Sequence, residues 1–342
     1  MRSFLNWGII GLGNAAKNFA TGFKNSKNSK LIAVASKNEE KLNYFKKNYN
    51  LEDRQCCHSY EEILKNDNID VIYIALPNSL HAEWIIKSAK SKKNILVEKP
   101  AAVEVKELDL ALKEVKKNNV FFVEGFLYRS HPQTLKLIKL IEKNFIGRVY
   151  KIKSSFGNDA LGGKKLFGYR FKKPNTNKRL FNKELGGGAI LDMGCYPISM
   201  VSLLASLINK NFNFPNLSEG NIRMGITGVD EHASLTLNYD NNLCAEVEVS
   251  IIKKLDNNLE ITGENGKIII NQPWFPDLES KIKIHLDKIE KTELVKTNCN
   301  IYSHQINQFT NMILKKKNLS YLMTPDKSLQ NMIIINKWRL FP

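Results

Sequence analysis

The chain of 342 residues is long enough for two domains, each with its own core. Hydrophobic residues make up 43% and charged residues 25%, and no apolar run approaches the ~18 residues of a membrane span, so a membrane protein is excluded. The formal net charge of +17 raises the possibility of a nucleic-acid partner, but no basic block dominates, and lysines spread over solvated helix faces explain the charge better.

The start of the chain, Met1–Gly13, has the pattern of a strand running into a turn and lacks the features of a signal peptide. The five cysteines form an odd set without metal-type spacing. Both features predict a cytoplasmic protein with reduced thiols and no metal site.

Strands and helices alternate in the first third of the chain. Asp70–Pro77 is a continuous apolar run of the kind that is buried on both faces of a parallel sheet. Ser59–Glu62 is a capping box that opens a short helix. This alternation predicts a doubly wound α/β Rossmann domain over residues 1–127. Its predicted strands are 6–11, 31–36, 70–77, 94–100 and 120–127, and its longer predicted helices are 15–24, 38–48, 80–91 and 104–118.

From residue 128 onwards, strands follow one another without helices between them, which predicts an α+β domain with a large, mostly antiparallel open sheet over 128–342. The final predicted helix, 325–340, is a candidate to pack back on the first domain. The predicted strands are 148–157, 222–228, 232–239, 243–252, 258–263, 266–271 and 281–295, and the predicted helices are 131–143, 195–207, 301–316 and 325–340.

A glycine turn follows the first predicted strand. Gly11-Leu12-Gly13-Asn14-Ala15-Ala16 matches the dinucleotide pattern GxGxxA, in which glycines allow a tight turn and a close approach of the pyrophosphate to the backbone. Free N–H groups at the start of the next helix would then meet phosphate oxygens. The alternative is a glycine-rich turn without a ligand.

The end of the second strand bears on cofactor choice. NAD-selective sites usually place Asp or Glu there to hold the ribose hydroxyls. This chain has Ser36 and Lys37, and its first carboxylates, Glu39 and Glu40, fall in the following helix. Lys37 suits the 2′-phosphate of NADP, so NADP is predicted with NAD as the second choice. The alternative is a solvated lysine on a loop.

Four further motifs make a resemblance specific. They are Pro77-Asn78-Ser-Leu-His81, Glu98-Lys99-Pro100, Glu124-Gly-Phe-Leu-Tyr128-Arg129, and Gly186-Gly-Gly188 followed by Asp192 and Tyr196. With the glycine turn, the whole chain resembles the glucose–fructose oxidoreductase and inositol dehydrogenase (Gfo/Idh/MocA) family. Within the family, the segment from Glu124 to Pro132 and Tyr196 resemble the branch containing dimeric dihydrodiol dehydrogenases and NADP-dependent D-xylose dehydrogenases. Many other members have His in place of Tyr196.

The resemblance implies further contacts to the cofactor and an assembly. It implies a homodimer or homotetramer formed through the C-terminal sheet. The remaining cofactor contacts that it implies are Leu76, Pro77, Asn78, His81, Glu98, Lys99 and Arg129. Of these, His81 is expected to orient the loop around Asn78, and Arg129 to line the cofactor side of the cleft.

Lys99 and Tyr196 are the predicted catalytic pair. Lys99 follows a central strand of the predicted sheet, at the edge where ligands bind, and its ammonium can polarise a carbonyl or stabilise an alkoxide. Tyr196 can exchange the hydroxyl proton, and a nearby ammonium would lower its reference pKa of about 10. The alternative for Tyr196 is a packing or substrate-binding phenol.

Asp192 and Arg179 are the predicted substrate-binding residues. Asp192 precedes Tyr196 by four residues, which places both on one face of a helix. It either bonds a substrate hydroxyl or complements the helix dipole. Arg179 ends the basic segment 164–179, which is either a site for an anionic substrate or a solvated loop. Specificity is expected in the loops around 157–185 and 270–280.

The sequence therefore predicts an NAD(P)-dependent oxidoreductase that transfers hydride between the nicotinamide and a secondary alcohol or carbonyl. The expected substrate is a sugar, a sugar derivative or a cyclic diol or polyol. The alternative is a non-catalytic NAD(P)-binding regulatory or sensor protein of the same fold. A nucleic-acid-associated protein is suggested only by the charge.

Overall fold

The computed structural model describes residues 3–162, 165–166, 169–170, 173–287, 289–316 and 319–342. The chain forms two compact units. The first unit runs up to His131 and includes Asn298–Leu329, and the second comprises Pro132–Thr297 and Gln330–Pro342.

A parallel six-stranded sheet forms the centre of the first unit, in the order β3-β2-β1-β4-β5-β6. The order reverses between β1 and β4, and ligands of open α/β sheets bind at the carboxyl ends of the strands beside such a point. The strands are β1 (Leu5–Ile10), β2 (Ser29–Ala35), β3 (Cys56–Cys57), β4 (Val71–Ile74), β5 (Asn94–Val97) and β6 (Phe122–Glu124). The intervening helices are α1 (Asn14–Ala20), α2 (Glu39–Tyr49), α3 (Tyr60–Leu64), α4 (His81–Lys90) and α5 (Val105–Asn118).

The second unit is built on an eight-stranded sheet in the order β10-β11-β12-β7-β13-β14-β15-β16, in which only β12 and β7 pair in parallel. Its elements begin with α6 (Pro132–Glu142), β7 (Val149–Gly157), β8 (Lys165–Leu166), β9 (Tyr169–Arg170) and α7 (Cys195–Ile208). They continue with β10 (Asn216–Met224), β11 (Asp230–Asn238), β12 (Cys244–Ser250), β13 (Leu259–Gly263), β14 (Gly266–Ile270), β15 (Glu279–Leu286) and β16 (Ile289–Lys296).

Two helices close the chain, α8 (Ile301–Leu314) and α9 (Pro325–Arg339). Helix α8 belongs to the first unit because it completes the aromatic core there: the rings of Phe309 and Trp7 lie 5.8 Å apart. The predicted division at residue 127 does not anticipate this return of α8. The final helix, α9, was expected to pack back on the first domain. Its first five residues, Pro325–Leu329, belong to the first unit.

The two faces of the large sheet differ in polarity. Ala233, Leu235 and Leu237 of β11 are buried on the face that packs against helices of the same unit. The opposite face is polar, and there Glu246 of β12 pairs with Lys151 at 2.5 Å and with Lys153 at 3.1 Å. The predicted mostly antiparallel sheet is confirmed.

Two sequence predictions in this sheet are wrong. The predicted strand 222–228 corresponds to β10, which begins six residues earlier at Asn216 and ends at Met224. Most of β10 is exposed at the edge of the sheet, so it lacks the apolar alternation that reveals a half-buried strand. The single predicted strand 281–295 is the hairpin β15–β16, whose turn contains Asp287 with φ +48° instead of Gly or Pro.

The sequence prediction that no apolar run approaches a membrane span is wrong for one stretch among the described helices, Ile190–Ile208, which has the length and apolar composition of a membrane-spanning helix. Most of it is buried in the protein, as is typical of a core helix. Of the predicted basic segment 164–179, Lys164 and Lys172 lie outside the described residues, as do the side chains of Lys165 and Arg170.

Candidate functional site

The glycine turn connects β1 to α1 in a conformation that only glycine accepts easily. Gly11 has φ +84°, and a Cβ at this position would lie 2.6 Å from the carbonyl oxygen of Ala75. The turn therefore packs directly on the backbone that follows β4. Leu12 is buried beside it, whereas Asn14 and Ala15 are exposed in the first turn of α1.

Gly13 differs from Gly11 in its surroundings. It caps α1 with φ −80° and ψ −170°, and no side chain bonds the helix N-terminus at this cap. A Cβ on Gly13 would meet no atom of the described residues within 4 Å. The first turn of α1 also contains no acidic residue. The turn therefore fits the pyrophosphate of a dinucleotide, for which backbone N–H groups and close approach are needed.

Ser36 and Lys37 follow the carboxyl end of β2. Ser36 is buried, and its hydroxyl accepts a hydrogen bond from the backbone N–H of Asn38 at 3.1 Å. Lys37 is exposed. Glu39 lies in the first turn of α2, as predicted, so the end of β2 presents a hydroxyl and an ammonium.

The segment after β4 contains four of the predicted cofactor contacts. Leu76 and Pro77 are half-buried, Asn78 is buried in a 3₁₀ turn, and His81 begins α4. The imidazole of His81 is fully buried, with Nε2 2.9 Å from the carbonyl oxygen of Leu76 and Nδ1 2.7 Å from that of Pro100. His81 thus joins the segments that follow β4 and β5.

Glu98 and Lys99 follow β5 at the same edge of the sheet. The backbone N–H of Glu98 donates to the carbonyl of Ile74 at 2.9 Å, and its carboxylate accepts a hydrogen bond from the hydroxyl of Tyr73. Lys99 is half-buried, and its ammonium interacts electrostatically with the carboxylate of Glu124. Lys99 therefore lies at the ligand-binding edge predicted for it.

Glu124 begins one of the motifs that carry the family resemblance, but no role was predicted for it from the sequence. It is 2% exposed at the end of β6. Burial raises the pKa of its carboxyl to about 7, against the opposing effects of Ser328, the Ala101 N–H group, Arg129 and Lys99. No pattern of residue spacing marks a carboxylate at the end of a buried strand, so only the fold reveals this neighbour of Lys99.

Arg129 was predicted to line the cofactor side of the cleft. The structure places it in the interior of the first unit, 2% exposed, where its guanidinium donates to the carbonyl of Tyr321 at 3.0 Å. Its positive charge also favours the ionised form of the Glu124 carboxyl and so opposes the rise of that pKa. A contact between Arg129 and the cofactor stays a prediction.

In the second unit, Tyr196 lies in the first turn of α7 and is 3% exposed. Its ring lies 5.1 Å from the ring of Phe156 and 5.9 Å from those of Trp274 and Phe275. The indole N–H of Trp274 donates to the carbonyl of Ser155 at 3.0 Å, which fixes one wall of the cluster. Tyr196 therefore belongs to a rigid aromatic cluster. Lys99 and Tyr196 lie in different units.

Arg179 and Asp192, predicted as separate substrate contacts, pair with each other. The guanidinium of Arg179 donates to the Asp192 carboxylate at 2.6 Å, and Asp192 is 9% exposed. Asp192 lies in a π-helical segment, Ile190–Gly194, instead of the regular α-helix that its spacing from Tyr196 suggested. Such segments are frequent at functional sites. A role in substrate binding stays a prediction for both residues.

The glycine run before α7 packs against its own unit. A Cβ on Gly187 would lie 2.5 Å from the carbonyl oxygen of Arg179, and one on Gly188 would lie 2.3 Å from Oδ1 of Asp230. Asp230 is buried and accepts a hydrogen bond from the backbone N–H of Ile190 at 2.6 Å. These glycines therefore allow the backbone to pack closely on its own unit, where Asp230 bonds the first turn of the helical segment. This role of Asp230 was not predicted from the sequence.

A cavity of about 700 Å³ adjoins the aromatic cluster within the second unit. Phe156, Trp274 and Phe275 contribute to its lining and also contact the ring of Tyr196. Side-chain amides supply much of the remaining lining: Asn158, Asn257, Asn258, Asn271 and Gln272. The predicted specificity loop 270–280 contributes to this cavity, whereas the segment 254–258 was not anticipated.

The chain is similar to known proteins over both units. Residues 5–126 match the family model described as "Oxidoreductase family, NAD-binding Rossmann fold", and residues 134–269 match the GFO/IDH/MocA C-terminal domain. A trans-1,2-dihydrobenzene-1,2-diol dehydrogenase of Xenopus tropicalis is 31% identical over 273 residues, which cover 79% of this chain and 76% of the relative.

Two further similarities concern proteins whose names include NADP. A D-xylose 1-dehydrogenase (NADP(+)) of Haloferax volcanii is 27% identical over 220 residues, which cover 64% of this chain and 62% of the relative. A 3-ketoreductase from Actinomadura kijaniata, solved in complex with NADP and TDP-benzene, has the same fold with a TM-score of 0.83. It is 20% identical, over 98% of this chain and 97% of the other.

Proposed function

The chain belongs to the GFO/IDH/MocA oxidoreductase family, and from that premise we propose that it is an NADP-preferring dehydrogenase or reductase of sugars or related polyols and cyclic diols. It is an NAD(P)-dependent enzyme acting on CH–OH groups. The observation that carries the proposed substrate class is the cavity beside Tyr196, which combines aromatic faces with side-chain amides. Aromatic faces pack against the C–H groups of a ring, and amides both donate to and accept from its hydroxyls.

Within this proposal the bound dinucleotide supplies the hydride acceptor or donor. Gly11 and Gly13 admit its pyrophosphate, and Ser36 and Lys37 hold its adenosine ribose. The ammonium of Lys99 stabilises charge that develops on the reacting oxygen, and the phenol of Tyr196 takes or gives the hydroxyl proton. Asp192, held by Arg179, is oriented to accept a hydrogen bond from a substrate hydroxyl.

A substrate panel tests the function. Neutral aldoses, sugar phosphates and cyclic diols are each offered with NADP and with NAD, and the absorbance of the reduced cofactor is followed. We expect turnover with at least one hydroxyl-rich ring and a higher rate with NADP. Faster turnover of the sugar phosphates would assign the basic segment 164–179 to an anionic substrate. Tight cofactor binding without turnover of any member would favour the sensor alternative.

Replacing Lys37 with alanine should narrow the preference for NADP. A hydrogen bond to a charged group contributes about 1.5–3 kcal/mol, or about ten-fold or more in affinity, and the lost contact is made only to the 2′-phosphate. In calorimetric titrations, the dissociation constant of NADP should rise and that of NAD should stay unchanged. Equal affinity of the unmutated protein for NADP and NAD would contradict the assignment of Ser36 and Lys37.

We also propose that the enzyme assembles through the sheet of its second unit and works in the cytoplasm. All five cysteines are within the described residues and none forms a disulfide, which is consistent with a reducing compartment. The polar sheet face with Lys151, Lys153 and Glu246 is the proposed contact between subunits. Light scattering at micromolar concentration should give the mass of a dimer or tetramer, and a strict monomer would contradict this assembly.

A further inference from the structure

The Pro100–Ala101 peptide unit, the second after Lys99, is held at both of its polar groups. Its carbonyl belongs to Pro100, and Nδ1 of His81 lies 2.7 Å from that oxygen. Its N–H belongs to Ala101 and donates to Oε1 of Glu124 at 2.9 Å. A side chain from α4 and a side chain from β6 therefore hold the Pro100–Ala101 peptide, the second peptide unit after Lys99.

Both side chains are themselves fixed to the sheet. His81 also contacts the carbonyl of Leu76, at 2.9 Å from Nε2. Glu124 pairs with Val97 of β5, and its backbone N–H donates to the carbonyl of Met323 at 3.0 Å. Because the peptide is tied to the ends of β4, β5 and β6, the backbone of Lys99 has little freedom to move relative to the sheet.

The two side chains are costly choices for a purely structural link. His81 is fully buried and Glu124 is 2% exposed, and burial of titratable groups disfavours their charged forms. The raised pKa of Glu124 reflects this cost. The buried C=O and N–H of this peptide need hydrogen-bond partners, and buried titratable side chains that supply such partners cluster at functional sites.

We propose that His81 and Glu124 are positioning residues that hold the ammonium of Lys99 through the Pro100–Ala101 peptide. The proposal rests on the catalytic role of Lys99 in the proposed function. The carboxylate of Glu124 also interacts electrostatically with the Lys99 ammonium. Neither residue needs to touch the substrate.

The test compares disruptive with conservative variants. His81→Leu removes both ring nitrogens, whereas His81→Gln retains an N–H donor. Glu124→Leu removes the acceptor, whereas Glu124→Gln retains an oxygen for the Ala101 N–H group. We expect kcat to fall about ten-fold or more in the leucine variants, since small displacements of a reacting group cost rates of this order, and to recover partly in the glutamine variants. The dissociation constant of the cofactor should stay within about two-fold in the Glu124 variants, because Glu124 is not among the predicted cofactor contacts.

Thr310→Val is the matched control. It removes another buried hydrogen bond of the first unit, between the hydroxyls of Thr310 and Ser29 at 2.6 Å, far along the chain from Lys99. This variant should lower the melting temperature and leave kcat unchanged. If the His81 and Glu124 variants behave like this control, the two residues are only structural and the proposal is overturned.

Combination with Lys99→Met separates this proposal from the proposed function. In the methionine background, His81→Gln should cause no further loss of kcat, because there is no ammonium to position. A full additional loss would overturn the positioning role. If Lys99→Met alone retains activity, the failure lies in the assignment of Lys99. The glutamine variants keep the test valid if a leucine variant does not fold.

Discussion

Lys99→Met and Tyr196→Phe should each lower turnover by at least ~100-fold, the usual scale for the loss of a positioned acid or base. Methionine keeps the length of the lysine side chain and removes its charge. Phenylalanine keeps the ring of Tyr196 and its contacts with Phe156, Trp274 and Phe275, while removing the proton. The folded state should therefore survive both changes.

The affinity for the cofactor is the first control. Tyr196 is not among the predicted cofactor contacts, so calorimetry should give an unchanged dissociation constant for Tyr196→Phe. Lys99 does not belong to the turn at Gly11 and Gly13, so Lys99→Met should still bind the cofactor. The double variant should lose less than the product of the two single losses if Lys99 acts partly through the phenol of Tyr196. In the unmutated enzyme the rate of alcohol oxidation should rise with pH. In Tyr196→Phe this rise should be absent.

One outcome would contradict the acid/base role of Tyr196. Near-full activity of Tyr196→Phe with an unchanged pH profile would leave it as a packing residue of the aromatic cluster. Lys99, with Asp192 or a water molecule, would then be the next candidate for the acid/base.

The first unit could be predicted closely from the sequence because its signals are local. Buried parallel strands are continuous apolar runs, and two of the helices between them have side-chain caps, provided by Asn38 to the N–H of Lys41 and by Ser59 to the N–H of Glu62. The same signals mark the carboxyl ends of the strands, so the positions of Gly11, Ser36 and Lys99 at one edge followed from the pattern.

The neighbours of these residues could not be predicted in the same way. Glu124 reaches Ala101 only because β6 lies beside β5, and Asp230 caps the helix before Tyr196 from a strand forty residues later in the chain. The pairing of Arg179 with Asp192 likewise depends on how the intervening loop folds. Hydrogen bonds between distant segments leave no periodic trace in a single sequence.

Gly11→Ala and Gly13→Ala form a matched pair with opposite expected results. At Gly11 a methyl group would meet the carbonyl oxygen of Ala75 at 2.6 Å, in a backbone conformation with φ +84°. The left-handed conformation and the overpacking together should lower the free energy of unfolding by about 2–5 kcal/mol. Urea denaturation of the unliganded protein measures this loss.

At Gly13 the backbone conformation suits any residue, and a methyl group would contact none of the described residues. The stability of the unliganded protein should change by less than about 1 kcal/mol, the scale of a poorer helix cap. Cofactor affinity should nevertheless fall at least ten-fold, or about 1.4 kcal/mol, since the methyl group occupies the path by which a pyrophosphate approaches the backbone. Calorimetric titration with NADP and with NAD should show the same loss for both, because the pyrophosphate is common to them.

If Gly13→Ala binds both cofactors like the unmutated protein, the dinucleotide does not lie on this turn. If Gly11→Ala is as stable as the unmutated protein, the turn does not pack on β4 as the structure describes.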